Sequence, residues 1–70
     1  MNGQKIITNK DSVLKNMAAN ALDQLEDIGK IDKYNIVDHA SIYEWEFDSS
    51  RDAEVAANIL ANHFEFCQRR

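Results

Sequence analysis

The sequence predicts a small two-layer α+β domain, in which two amphipathic helices pack on one face of a short antiparallel sheet. Three observations predict it. Residues 12–28 and 50–67 each carry apolar side chains at helical spacing. Residues 41–48 alternate between apolar and acidic side chains, the signature of a strand with one buried face. The chain has no proline and only 2 glycines, so little interrupts these elements. All 70 residues are read as one domain, in the order (β)-α-β-β-α.

The bracketed first strand is QKIIT, residues 4–8, which reads as an edge strand or as a terminus that frays. The first helix covers residues 12–28. Leu14, Ala18, Ala21, Leu25 and Ile28 recur at spacings of four and three, and Met17 and Leu22 widen the stripe. Thr8, Asn9 or Asp11 can cap its start. Gly29 stands where a left-handed residue ends a helix, and Lys30 suits the negative end of the dipole. The small residues Ala18 and Ala21 let another helix approach closely, either the second helix of the same chain or a second copy.

Residues 30–41 read two ways. Tyr34, Ile36 and Val37 suit a short strand, with Asp38 to Ser41 as the turn after it. A helical stripe through Ile31, Tyr34, Val37 and Ala40 competes with that reading. The next strand is less ambiguous, because SIYEWEFD places Tyr43, Trp45 and Phe47 on one face and Glu44, Glu46 and Asp48 on the other. Burying the aromatics is favoured by roughly 25 cal/mol per Å² of apolar surface. Burying unpaired carboxylates costs several kcal/mol each. The aromatics are therefore assigned to the interior and the acids to the open face.

The second helix is predicted over residues 50–67. Ser49 or Ser50 caps it, and Asp52 and Glu54 sit in its positive first turn. Ala56, Ile59, Leu60, His63, Phe64 and Cys67 form its stripe, with Val55 and Phe66 beside them, and Arg69 and Arg70 follow its negative end. Arg51 is placed to pair with Asp48 or Asp52.

Composition narrows the function. The net charge of −4 arises in the second half, where Arg51, Arg69 and Arg70 face Asp38, Glu44, Glu46, Asp48, Asp52, Glu54 and Glu65. Such a field argues against direct binding of nucleic acid, which needs a basic patch. The first thirty residues contain no continuous apolar run, so neither a signal peptide nor a membrane span is expected. A single cysteine, Cys67, rules out an internal disulfide and suits a reducing, cytoplasmic setting.

Catalytic and metal signatures are weak. His63 and Cys67 stand four apart on the predicted helix, a spacing that holds two metal ligands, but a structural zinc needs four. Their place on the core stripe explains both as packing residues. Glu44 and Glu46 on a hydrated face have little to drive their pKa values apart. No cofactor, metal or enzymatic activity is expected.

The reading that remains is a non-enzymatic, acidic interaction protein that regulates or inhibits a larger protein. It would bind a basic surface, of the kind that handles nucleic acid, as a nucleic-acid mimic. Alternate carboxylates on a strand stand roughly 6.5–7 Å apart, close to the spacing of phosphates along a nucleic-acid strand. Small inhibitors of phages and mobile elements share this profile, which is an analogy and not a motif. The contact residues would be Asp38, Glu44, Glu46, Asp48, Asp52 and Glu54. The alternative is a self-associating adaptor, a homodimer that uses Leu14, Ala18, Ala21 and Leu25 of the first helix.

Overall fold

The computed structural model describes residues 4–70. The chain runs β1 (Lys5–Asn9), α1 (Ser12–Asp27), β2 (Asn35–Asp38), β3 (Ile42–Glu46), α2 (Ser50–His63) and β4 (Cys67–Arg69). The four strands form one antiparallel sheet in the order β2-β3-β1-β4. The α+β class predicted from the sequence is the class observed. Element and strand order together are those of the ferredoxin-like split-βαβ fold. That fold carries many unrelated functions, so function has to be argued from the surface.

α1 begins where Asp11 caps it, its Oδ1 accepting from the backbone N–H of Val13 and of Leu14, both at 3.1 Å. It ends at Gly29, whose φ of +78° lets Lys30 N–H reach back to Leu25 O at 2.9 Å. Ala18 and Leu22 are fully buried, with Leu14 and Leu25 packed beside them. Met17 and Ile28, which the sequence assigns to that seam, are instead 52% and 68% exposed.

The sequence leaves residues 4–8 between an edge strand and a frayed end. The segment is neither, because β1 lies between β3 and β4 at the centre of the sheet. Ile6 and Thr8 are completely buried under the helices. Over residues 30–41 the strand reading holds for Asn35–Asp38. Tyr34 precedes that strand, and its ring stacks on Trp45 and Phe47 at 6.3 and 5.8 Å.

The second helix is shorter than residues 50–67. It stops at His63, and Phe64 turns extended at φ −113°, ψ 139°. Phe64 stays in the core, edge-on to Trp45 at 6.0 Å. The last residues then pair with the free side of β1 as β4, and Lys5 and Arg70 exchange two backbone hydrogen bonds beyond it. Arg69 therefore does not serve the C-terminal end of α2. Its guanidinium donates to Ser50 O at 3.0 Å and Ser50 Oγ at 3.2 Å, at the start of that helix.

Candidate functional site

Tyr43 and Trp45 of β3 point into the helical layer and are buried, as is Phe47 just beyond the strand. Alternation then puts Glu44 and Glu46 on the uncovered face of the sheet. Strand register sets their neighbours. Glu46 lies opposite Lys5 on β1 and Asn35 on β2, and Glu44 lies opposite Ile7 and Val37.

The two glutamates are held by Lys5 and His39. Lys5 Nζ is 3.3 Å from Glu44 Oε2 and 3.7 Å from Glu46 Oε2. His39 Nε2 is 2.8 Å from Glu44 Oε1. The hydrogen bond from His39, then that from Lys5, holds the Glu44 carboxyl below its usual value, despite an opposing contribution from burial. Next to this chain, Lys10 reaches from the end of β1 to Asp38 Oδ1 at 2.9 Å and to His39 O at 2.7 Å. The bond from Lys10 likewise lowers the Asp38 pKa. The result is a row of linked polar side chains, Asp38–Lys10 and His39–Glu44–Lys5–Glu46, at the end and open face of the sheet.

The predicted contact residues do not form one surface. Glu44 and Glu46 stand together, and Asp38 is close to them in the chain at the end of β2. Asp48 is exposed in the connection to α2, and Glu54 is exposed on α2, which belongs to the layer behind the sheet. Asp52 corrects the expectation of an exposed first-turn acid. It is buried, and its Oδ2 accepts the Asp32 backbone N–H at 3.0 Å, which pins the α1–β2 connection to the start of α2. Among the described residues, Arg51 forms no ion pair with Asp48 or Asp52.

Of the predicted self-association residues, Ala18 belongs wholly to the interior, and Leu14 and Leu25 pack against it. Ala21 is half-buried.

Sequence reasoning missed Lys5 and His39. The Lys5 contact depends on the β1–β3 register, a non-local pairing that no local pattern encodes. The His39 contact was within reach, because His39 lies in the tight turn that joins β2 and β3 and Glu44 follows it by five residues.

The His63–Cys67 spacing has no helical meaning here, since Cys67 lies in β4. His63 Nδ1 is 2.9 Å from Ile59 O, one turn earlier. Burial pushes the Cys67 thiol up, which disfavours the reactive thiolate. Among the described residues no group of three or more His, Cys, Asp or Glu side chains is arranged to hold a metal. A depression of about 280 Å³ lies between the α1–β2 connection and α2, lined by Gly29, Lys30, Ile31, Asp32, Arg51 and Asp52. Its most buried acid, Asp52, is already committed to the Asp32 amide.

Comparison of the chain with protein-family models, with characterised proteins and with solved structures finds no match. Among the described residues, no helix is long and apolar enough to cross a membrane.

Proposed function

We propose that this chain is a non-enzymatic interaction protein that works in the cytoplasm. In this reading it regulates or inhibits a larger protein by covering a basic surface, such as one that handles nucleic acid. The observation that carries the proposal is the uncovered sheet face. Both helices lie behind the sheet, so Glu44 and Glu46 stand on its outer side with side chains 18% and 36% exposed. Lys5 and His39 hold these carboxylates in place, which lowers the ordering cost of a contact.

A partner arginine has an advantage over Lys5 at this pair. Its planar guanidinium binds carboxylate oxygens two at a time, whereas an ammonium acts as a point charge. The net charge of −4 adds long-range attraction for a basic partner and repels nucleic acid itself. The cytoplasmic placement rests on the lone, half-buried Cys67.

Affinity capture from the source-cell lysate tests the reading. Wild type is compared with Glu44→Gln/Glu46→Gln and Glu44→Lys/Glu46→Lys at low and high salt. The expected result is a basic protein held by wild type, weakened by the glutamine pair, lost with the lysine pair and released by salt. Equal capture by all three forms would remove the sheet face as the contact surface.

A further inference from the structure

Lys5 bridges the two carboxylates of the open sheet face. Its Nζ lies 3.3 Å from Glu44 Oε2 and 3.7 Å from Glu46 Oε2, so one ammonium serves both. The β1–β3 register puts it there, with Lys5 directly opposite Glu46 and diagonal to Glu44, which lies opposite Ile7. Lys5 is also the most exposed member of the group, its side chain 51% open to solvent.

The contacts of this group differ in what a partner must do to them. His39 Nε2 meets Glu44 Oε1 at 2.8 Å and leaves Oε2 for a second contact. Such a bond persists in a complex and keeps the carboxylate ordered there. The Lys5 contact does not persist in the same way. Lys5 holds Oε2 of each glutamate, the two oxygens that a cation shared between them must reach. A second cation at that seat would stand against the Lys5 ammonium, and like charges in contact repel. A contact that has to break on binding stabilises only the free chain and opposes the complex. The opposition is surmountable, because an exposed ion pair on a long side chain is weak.

We propose, on the acidic-face reading above, that Lys5 is an autoinhibitory plug, an internal cation that a partner's arginine must expel to reach Glu44 and Glu46. Exchanging Lys5 for another ammonium replaces like with like. A guanidinium gains by the exchange, because its planar fork meets carboxylate oxygens two at a time. The occupant of the opened seat is therefore an arginine side chain of a basic protein surface.

A fluorescently labelled hexa-arginine peptide tests this by anisotropy, with circular dichroism melts of each variant to show that it is folded. The titrations are run at about 0.1 M salt, where exposed charges more than roughly 10 Å apart are largely screened. Lys5→Met keeps an apolar stem and removes the ammonium. It is expected to bind the peptide about three- to fivefold more tightly than wild type. Lys30→Met removes the same unit of charge at a residue with no ion pair among the described residues. It is expected to change binding by less than about twofold. In a Glu44→Gln/Glu46→Gln background, Lys5→Met should gain no more than Lys30→Met does.

Lys5→Met that binds as wild type does, or more weakly, would overturn the plug and leave the acidic face standing, with Lys5 as a support that stays in the complex. An equal gain from Lys30→Met would overturn it too, since net charge would then explain the effect. A peptide that binds neither wild type nor Lys5→Met, or that binds the glutamine pair as well as wild type, would remove the acidic face as a cation-binding surface and the plug with it.

Discussion

Trp45 Nε1 donates a hydrogen bond to Thr8 Oγ1 at 3.0 Å, and neither residue has any exposed surface. The two lie on adjacent central strands, β3 and β1, and close a polar link inside an otherwise apolar core. Among the described residues, no buried side-chain nitrogen or oxygen lacks a partner. Thr8→Val keeps the shape of the side chain and strands the indole N–H. It is expected to destabilise the fold by about 1–3 kcal/mol, whereas Thr8→Ser restores most of the link. Urea melts followed by Trp45 fluorescence measure both. Equal stability of Thr8→Val and wild type would mean that the indole finds another acceptor.

Asp52 is the acid that local pattern places on the surface and the fold places inside. Asp52→Ala leaves the Asp32 amide without its partner and is expected to cost about 1–3 kcal/mol. Asp52→Asn, which keeps an acceptor oxygen, is expected to cost less. The sharper readout is hydrogen exchange at the Asp32 amide, which should accelerate in Asp52→Ala while amides at the centre of β1 keep their protection.

Neighbouring positions on α1 should respond in opposite ways. Ala18→Glu puts a carboxylate into a fully enclosed site and is expected to unfold the chain, at a cost above about 4 kcal/mol. Met17→Glu, one residue away on the exposed side, is expected to fall within about 0.5 kcal/mol of wild type. Thermal melts of the dilute protein separate them, and a silent Ala18→Glu would show that α1 is rotated relative to the sheet.

The Glu44 carboxyl sits below its ordinary 4.5, chiefly through its hydrogen bond with His39. A lowered acid stabilises the fold while ionised. Its contribution is complete above the unfolded value and is lost as pH falls through the lowered folded value. His39→Ala should therefore move the Glu44 midpoint upward, toward 4.5, and remove part of the acid-side slope of stability. A carboxyl-carbon NMR titration reads the midpoint directly. An unchanged midpoint in His39→Ala would assign the effect to Lys5.

The helix over Ser12–Asp27 and the strand over Ile42–Glu46 were legible because their causes are local. A cap at Asp11, a left-handed stop at Gly29 and strict alternation around Trp45 act within a few residues. The same alternation correctly separated Tyr43, Trp45 and Phe47 from Glu44 and Glu46, since the cost of burying acids without partners exceeds any gain from exposing aromatics.

Tertiary structure decided the rest. The apolar stripe of α2 runs on at helical spacing through Phe64 and Cys67, so the sequence alone carried the helix past His63. In the folded chain the free side of β1 offers backbone partners to residues 67–69, and pairing there replaces the last helical turn. That pairing moves β1 from an expected edge to the centre of the sheet, and the equally non-local β1–β3 register sets Lys5 against Glu44 and Glu46. It also follows from packing, and not from periodicity, that Met17 and Ile28 face water while Ala18 is enclosed. Sequence determined the first helix, the body of the second and the strand around Trp45 with its apolar face, because those depend on near neighbours. Register, strand order and the partners of each charge depend on residues far apart in the chain, and only the assembled sheet and helical layer fix them.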